Sequence, residues 1–270
     1  MNDARRPFAR KSFGELVVGD PTGGLFYHLA ALRYRKSHWR PFLSRVDEWL
    51  TSWNPREKTL VVFGPSAGWT LPKSFLARFD RIVAVEPDPL ARFLFARRIG
   101  RSARIEFCSR TDLLPWLRAD VSGEPLAEFL RETGPAAVLF SNLLGQVPLL
   151  LAPETFEARK KKASESFARA LAGRNWASYH DLVSSEREPE PSPLDRGFDS
   201  DIETLAGEIF PAGAEISDHE TAWISKGCRA ELAKWRLRPG AWHVIAFVTA
   251  AGLKEKRDPL PRDNDRTPRA

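Results

Sequence analysis

The chain contains little cysteine and no long apolar run. Its 270 residues include two cysteines, Cys108 and Cys228, which are far apart and have no partners at metal-ligand spacing. We therefore expect neither a disulfide framework nor a cysteine zinc site. No apolar stretch approaches the roughly twenty residues that a membrane-spanning helix needs. The N-terminus, MNDARRPFARK, lacks the apolar segment of a signal peptide, so we expect a cytoplasmic protein without a membrane partner.

The excess of positive charge lies mainly at the two ends. The chain carries a formal net charge of +6, of which residues 1–11 contribute +3 and residues 254–270 contribute +2. The body between them is close to neutral, whereas a nucleic-acid surface needs cations gathered on one face. The basic clusters around 97–104 and 159–162 are more typical of solvated helix faces. The composition therefore does not indicate a nucleic-acid partner.

The most informative stretch runs from Thr59 to Ile99. Residues 60–63 are a short apolar run with β-branched members, and residues 81–85 repeat this pattern after Arg81, as in strands that are buried on both faces. Gly64 and Gly68 bound a turn between the first run and a helix, where the backbone can approach a negatively charged ligand. Glu86 follows the second run, roughly twenty residues after the turn, where an acid accepts both hydroxyls of a ribose. The pattern predicts the nucleoside-binding half of an α/β fold.

The glycine turn and the sequence Glu86-Pro87-Asp88-Pro89 resemble the Rossmann-like class I methyltransferases that use S-adenosylmethionine. In that family the turn reads acid-x-Gly-x-Gly-x-Gly, and the acid after the second strand holds the ribose. Gly64 and Gly68 match two of the glycines and Glu86 matches the ribose acid. Ser66 stands in the place of the middle glycine, and Val62 stands in the place of the first acid.

The resemblance implies S-adenosylmethionine as the cofactor and extends over roughly residues 59–249. It implies cofactor contacts from four residues at the first two strands: Gly64, Ser66, Gly68 and Glu86. Asp112 follows a predicted third strand, where the family often carries an acid or amide that accepts a hydrogen bond from the adenine amino group. An equally good reading makes Asp112 the N-cap of a helix around 113–117.

Two polar segments predict the acceptor side of the site. Ser141-Asn142 follows a buried run at 136–140 and resembles the Ser-Asn-x-Leu stretch of small-molecule methyltransferases. We assign Ser141 to the cofactor and Asn142 to the acceptor; a polar turn that caps the next helix is the alternative. His180 and Asp181 follow a predicted strand at 176–179.

His180 is the candidate general base, and Asp181 either orients it or takes a proton directly. A metal site is the alternative, and it would need both residues to meet His219 and Glu220 in space. Structural hydrogen bonding is the simpler role for His219.

The predicted fold class is α/β, with a doubly wound Rossmann-like sheet that is mostly parallel, a late antiparallel C-terminal strand pair and N-terminal helices. Residues 1–55 form an N-terminal helical extension, 56–252 the methyltransferase-like domain and 253–270 a disordered basic tail. Residues 26–28 are candidates for a lid over the cofactor or for core aromatics. Further elements follow from periodicity: helices at 25–34, 41–53, 154–172 and 202–210, an exposed loop at 186–200, and strands at 104–107, 220–224 and 241–249.

These observations predict methyl transfer from S-adenosylmethionine to a small or unidentified acceptor. Two alternatives belong to other functional classes. A nicotinamide-dependent oxidoreductase is disfavoured by the late antiparallel pair, because such folds continue in parallel with helices between strands. A non-catalytic nucleoside-binding or scaffold protein is favoured by the departures at Val62 and Ser66.

Deletion of residues 254–270 is expected to leave the melting temperature and the cofactor affinity unchanged. The segment has too little apolar surface to offset the entropy lost on ordering. Thermal unfolding and calorimetric titration of the full and truncated chains measure both quantities. A large drop in melting temperature would show that the segment docks on the folded domain.

Overall fold

The structure is a computed structural model that describes residues 24–100, 103–191, 202–225 and 230–250. The predicted tail at 253–270 and most of the predicted loop at 186–200 lie outside these residues. Within the described part, strands form one mixed sheet in the order β3-β2-β1-β4-β5-β8-β7, and β6 pairs with β5. The strands are β1 Thr59–Phe63, β2 Arg81–Val85, β3 Arg104–Cys108, β4 Ala137–Ser141, β5 Trp176–Ser185, β6 Ile216–Asp218, β7 Glu231–Arg238 and β8 Ala241–Thr249.

Helices cover both faces of this sheet. The described α-helices are α1 Gly24–Tyr34, α2 Arg40–Trp53, α3 Lys73–Leu76, α4 Pro89–Ile99, α5 Glu124–Thr133, α6 Val147–Leu150, α7 Pro153–Ala170 and α8 Ile202–Ile209. Short 3-10 turns lie at Pro115–Leu117, Leu144–Gln146 and Ala222–Ser225. None of the described helices combines the length and the apolar character that a membrane span requires.

The predicted fold class is confirmed by the strand directions. Strands β1 to β5 pair in parallel, whereas β8 is antiparallel to both β5 and β7. The apolar runs of β1 and β4 are buried along nearly their whole length because both neighbours and both faces of the sheet are occupied. The chain order reverses between β1 and β4, which opens a crevice at the carboxyl ends of these strands.

The two faces of the sheet carry separate hydrophobic cores. Alternate residues of β1 divide between them, with Phe63 in the core beneath α5 and α7 and Leu60 in the core beneath α1 to α4. The N-terminal helices join the second core and reach the far edge of the sheet. Trp39 donates its Nε1 hydrogen to the Leu237 carbonyl at 2.8 Å, and the ring of Phe42 stacks on Trp235 with centroids 4.8 Å apart.

The prediction of a strand at 220–224 is wrong. Residues 222–225 form a 3-10 turn, and the strand that pairs with β8 is β7, in a segment that the sequence analysis treated as a connection. Ala233, Trp235 and Leu237 are buried in alternation with cations, which is the period-2 pattern of a half-buried strand. Lys234 and Arg236 lie over the ring of Trp242, at 5.5 and 5.3 Å from its centroid. Cation–ring contacts of this kind let charged side chains remain in a strand.

The fifth strand is also longer than predicted, and His180 and Asp181 lie within it instead of after it. Pairing with β4 ends at Tyr179, but pairing with antiparallel β8 continues to Ser185, with an irregularity between Asp181 and Val183. Beyond the end of β4, β5 remains hydrogen-bonded to β8. The local apolar pattern of the sequence does not reveal this pairing. Asp181 nevertheless lies just beyond the end of β4, beside the crevice.

Trp39→Phe is expected to lower the free energy of unfolding by more than Trp116→Phe. Both side chains are almost fully buried, and the substitutions remove similar volumes. Trp39 loses a hydrogen bond and leaves a carbonyl unpaired, which costs about 1–3 kcal/mol. The Nε1 atom of Trp116 has no partner within the described residues, so its removal breaks no bond. Urea unfolding compares the two variants, and equal losses would contradict the role given to the Trp39 bond.

Candidate functional site

A cavity of about 290 Å³ opens at the carboxyl ends of β1, β2 and β4. Its wall includes the turn after β1, the segment after β2 and the segment after β4. Strands β5, β7 and β8 contribute Asp181, Trp235 and His243, respectively. Helix α1 adds Tyr27, which was predicted as a lid or core aromatic. The cavity therefore occupies the position that ligands take in open α/β sheets.

The turn after β1 brings backbone atoms close to neighbouring side chains. Gly64 and Gly68 have φ values of +62° and +67°, in the left-handed region. A Cβ atom on Gly64 would lie 2.9 Å from Leu143, and one on Gly68 would lie 2.9 Å from the ring of Phe95. Both positions therefore require glycine. Gly64 borders the cavity directly, whereas Gly68 supports the turn from behind, against α4.

Ser66 adopts a positive φ of +49° although it carries a Cβ atom. Such a conformation costs an L-residue about 1–2 kcal/mol. Its backbone N–H donates to Oε2 of Glu86 at 2.9 Å, which offsets part of this cost. Ser66 therefore stands where the methyltransferase turn has a glycine and keeps a glycine-like backbone conformation. Ser66 also lines the cavity.

Glu86 lies in the cavity wall with 7% of its surface exposed. Its second oxygen, Oε1, accepts from the backbone N–H of Asp88 at 3.1 Å. Burial raises the pKa of the Glu86 carboxyl, and the two backbone donors oppose that rise. Each oxygen accepts one backbone hydrogen and retains a lone pair. The carboxylate is therefore fixed in orientation and able to accept two further hydroxyl hydrogens.

Asp112 lies beside the cavity wall and does not form part of it. Its neighbours Arg110 and Thr111 line the cavity, and Asp112 pairs with Arg110 at 2.8 Å. This hydrogen bond is the main cause of the lowered pKa of the Asp112 carboxyl. The 3-10 turn at Pro115–Leu117 has no side-chain cap, so the alternative role of Asp112 as an N-cap is not observed. Its contact with adenine stays a prediction.

Ser141 ends β4 in the cavity wall and belongs to a buried chain of hydroxyl groups. Its Oγ is hydrogen-bonded to the hydroxyl of Tyr179, which also lies 2.6 Å from Oγ1 of Thr70. Burial raises the pKa of the Tyr179 phenol to about 12, so the phenol is neutral at physiological pH. Thr70 and Tyr179 were not predicted as site residues. Their separation of 109 positions explains why no local pattern joins them.

Asn142 and Asp181, which were predicted to share the crevice, form two hydrogen bonds with each other. Nδ2 of Asn142 donates to Oδ2 of Asp181 at 2.9 Å, and the Asp181 backbone N–H donates to Oδ1 of Asn142 at 3.0 Å. Asn142 has a φ of +53°, a conformation that asparagine tolerates better than most residues. The turn after β4 is thereby locked onto β5.

Asp181 is a buried carboxylate that carries its charge. Burial alone would raise its pKa, but the charge of His243 and a hydrogen bond from it, aided by His219 and Asn142, lower the pKa of Asp181 to about 2. Oδ1 lies 2.8 Å from Nδ1 of His243. A Cβ atom on Gly145 would lie 3.0 Å from Cβ of Asp181, so the chain passes unusually close here. Asp181 is thus ionised and enclosed.

The structure separates His180 from Asp181. Successive side chains of a strand point to opposite faces, and Asp181 faces the cavity, so His180 faces the other core. Nδ1 of His180 pairs with Oγ of Ser178 at 3.0 Å, and Nε2 has no partner among the described residues. Burial lowers the pKa of His180 to about 3, which keeps the ring neutral. The geometry does not support His180 as the proton acceptor.

The set of possible metal ligands in the structure differs from the predicted one. Ligand atoms of Asp181, His219 and His243 lie within 4.8 Å of one another. His219, however, has a partner on each ring nitrogen, the Gly145 carbonyl at 3.1 Å and Oγ of Ser184 at 3.0 Å. Its predicted structural hydrogen bonding is confirmed. Glu220 is not part of this set and forms an ion pair with Lys160.

Comparison with known proteins adds information on fold only. No protein-family model matches the chain, and no curated protein matches it. Solved structures that are similar to it are S-adenosylmethionine-dependent methyltransferases of the predicted kind. N-methyltransferase NodS from Bradyrhizobium japonicum WM9, in complex with S-adenosyl-L-homocysteine, is 12% identical, with 79% of this chain and 87% of that chain covered and a TM-score of 0.43.

Two further structures are similar at the same level. Magnesium protoporphyrin IX methyltransferase (ChlM) from Synechocystis PCC 6803, with bound S-adenosylhomocysteine, is 14% identical over 87% of this chain and 91% of that chain, with a TM-score of 0.40. CalS10 from Micromonospora echinaspora, an amino pentose methyltransferase with bound S-adenosylmethionine, is 15% identical over 82% and 96%, with a TM-score of 0.36. At these values the likeness carries no argument about function, which must rest on the side chains themselves.

The raised pKa of Glu86 predicts a pH dependence of stability. Because the folded state holds this proton more tightly than the unfolded state, the contribution of Glu86 is greatest below the ordinary pKa of a glutamate. It declines as the pH rises towards the raised value. The melting temperature of the wild type relative to Glu86→Gln should therefore fall through this window.

Glu106→Gln is the control with the opposite sign. A hydrogen bond from Arg81 is the main cause of the lowered pKa of Glu106, so its contribution is lost as the pH falls through that lowered value. The wild type should gain over this variant as the pH rises. Melting curves over a series of pH values measure both differences, and the same slope for both variants would refute the assignment.

Proposed function

We propose that this protein transfers the methyl group of S-adenosylmethionine to a small-molecule acceptor. The observation that carries the proposal is the buried carboxylate of Glu86, which two backbone N–H groups orient at the edge of the cavity. A ribose presents two neighbouring hydroxyl groups, and a carboxylate with a free lone pair on each oxygen accepts both. The adjacent turn also lines the cavity at Gly64 and Ser66, so the rest of an adenosyl ligand would lie against its backbone.

The residues at this end of the cavity fit an adenosyl ligand in shape as well as in charge. Leu113 and Leu114 line the wall near the end of β3 and offer an apolar surface to a flat base. Arg110 and Thr111 stand beside them as polar groups. Ser141 borders the cavity from β4, and its hydroxyl is held by Tyr179. The predicted cofactor residues Gly64, Ser66, Glu86 and Ser141 thus share one wall.

When bound, S-adenosylmethionine supplies a sulfonium methyl group that a nucleophile attacks in line. The protein's contribution is to fix the two reactants in that geometry and to exclude water. Asn142 and Asp181 stand at the opposite end of the cavity from the wall near β3, where an acceptor would enter. Tyr27 and Trp235 close that end with aromatic surface. This division of the cavity supports a bisubstrate site.

A non-catalytic nucleoside-binding protein would use the same Glu86 end of the cavity. The observation that favours catalysis over simple binding is the buried pair of Asp181 and His243 in the same cavity, 2.8 Å apart, because a protein that binds only a nucleoside needs no such pair there. A nicotinamide-dependent oxidoreductase remains disfavoured by the antiparallel β7–β8 pair.

Glu86→Ala is expected to weaken binding of S-adenosylmethionine and of S-adenosylhomocysteine tenfold or more. The loss of charge-assisted hydrogen bonds from the ribose costs on the order of 1.5–3 kcal/mol. Calorimetric titration of the purified proteins measures the affinities. Absence of binding by the wild type, or tighter binding of NADH, would refute the methyltransferase proposal.

Two further variants sharpen that measurement. Asp181→Ala lies in the same cavity but on the acceptor side, so its cofactor affinity should stay close to that of the wild type. Asp120→Ala removes an exposed carboxylate that pairs with Arg118 outside the cavity, and it controls for a general effect of charge. An equal loss of affinity in all three variants would contradict the ribose contact of Glu86.

A further inference from the structure

We propose that His243 accepts the proton of the acceptor during methyl transfer, and that Asp181 and Asn142 are positioning residues for His243. The inference rests on the proposed function and assigns the chemistry at the acceptor end of the same cavity. It replaces the predicted base, His180, with a histidine from β8 that the sequence analysis did not single out.

Asp181 is too fully engaged to receive a proton from a bound molecule. Oδ1 faces His243 and Oδ2 accepts from Asn142, at 2.8 and 2.9 Å. The residue is 2% exposed, and its backbone carbonyl accepts from Oγ1 of Thr221 at 2.6 Å. A carboxylate in this setting acts on the group beside it, in the way that a buried acid orients a catalytic imidazole.

His243 lines the same cavity as Asp181, and one of its ring nitrogens is not engaged by that carboxylate. It borders the cavity on β8, and its Nδ1 is the nitrogen that faces Asp181. An ionised carboxylate is an acceptor only, so it selects the tautomer with the proton on Nδ1. Nε2, on the other side of the ring, then carries the lone pair. The ring is packed between His219 and Trp235, with centroids 5.9 and 5.8 Å away.

Charged and titrating groups around His243 support this assignment. Asp181 faces the ring from β5, and His219 faces it from the segment that follows β6. His219 is tied to Gly145 and Ser184, whereas Asp181 carries a full negative charge. The carboxylate therefore stabilises the imidazolium that forms when His243 receives a proton.

The proposed step balances in atoms and charge. A neutral acceptor hydroxyl attacks the methyl carbon of the sulfonium, a bond forms between oxygen and carbon, and the carbon–sulfur bond breaks. Its electron pair remains on sulfur, which becomes a neutral thioether. The hydroxyl proton passes to Nε2 of His243, so the positive charge moves from sulfur to the imidazolium beside Asp181.

The surroundings of His243 also indicate the class of acceptor. Trp235, Leu237 and Tyr27 line this end of the cavity and present flat apolar surface. A general base is of use only for a nucleophile that is protonated at the working pH. A hydroxyl group on an aromatic ring meets both conditions, since the ring fits the apolar wall and the phenol needs to lose its proton. We therefore infer a phenolic acceptor.

The first experiment measures the tautomer of His243, which does not require a known acceptor. Protein with ¹⁵N-labelled histidine rings and bound S-adenosylhomocysteine is examined by long-range ¹⁵N–¹H correlation in mildly alkaline buffer. The wild type should show His243 protonated on Nδ1 and unprotonated on Nε2, and Asp181→Asn should lose this preference. A proton on Nε2, or the same tautomer in Asp181→Asn, would overturn the proposal.

The second experiment measures turnover on two phenols. With unsubstituted phenol, which is protonated in the assay, His243→Gln should lose about a hundredfold or more of the rate. With a nitro-substituted phenol, which is already ionised, the same variant should lose little. His38→Gln, a histidine that stacks on Tyr34 outside the cavity wall, is the matched control and should behave as the wild type. Equal losses on both phenols would refute the base role.

The outcomes separate this inference from the proposed function. A wild type that fails to bind S-adenosylhomocysteine refutes the function itself. A wild type that binds it but methylates neither phenol refutes the acceptor class. Loss of turnover on chelation, restored by Zn²⁺ or Mn²⁺ and absent from His219→Gln, would overturn the base role, because Asp181, His219 and His243 would then hold a cation.

Discussion

The pairing of β5 with two neighbours of opposite direction is the constraint on which this site depends. One edge of β5 is hydrogen-bonded to parallel β4, and the other edge to antiparallel β8. The parallel edge places the segment after β4 beside Asp181, and the antiparallel edge places His243 there as well. A sheet that stayed parallel would have ended all its strands at one level. The reversal lets a residue from the last strand face the same crevice as Glu86.

Two buried carboxylates mark the ends of the cavity, and their surroundings move their pKa values in opposite directions. Glu86 has only neutral backbone donors as partners, so burial dominates and raises its pKa. Asp181 has a histidine as its partner, and the interaction with this histidine overrides burial and lowers the pKa of Asp181. The first carboxylate keeps lone pairs for a ligand, and the second is consumed within the protein. The two carboxylates of this cavity thus differ in role, because Glu86 keeps free lone pairs whereas Asp181 orients groups within the protein.

Features of the fold that depend on short-range pattern were predictable from sequence. The runs that form β1, β2 and β4 are apolar except at one terminal position each because both faces of these strands are covered, and the glycines after β1 mark the tight turn. Features that depend on pairing at long range were not. The alternation of apolar residues and cations in β7 was present in the sequence, whereas nothing near His243 points to Asp181, which lies 62 positions away. The side chains at the acceptor end therefore emerged only when the strands were arranged in space.

The bond between Trp39 and the Leu237 carbonyl has a consequence for how such a protein diversifies. It ties α2 to β7, the strand that supplies Trp235 and Leu237 to the cavity, while Glu86 and its turn rest on the opposite half of the sheet. Substitutions in α2 and β7 therefore change the cavity wall near Trp235 without touching the segment that holds Glu86, whereas α1 contacts that segment through His28 and Asp88, 3.8 Å apart. Under the proposed function, acceptor selectivity and cofactor binding would depend on different parts of the sheet, so divergence could alter one of them while the other stays the same.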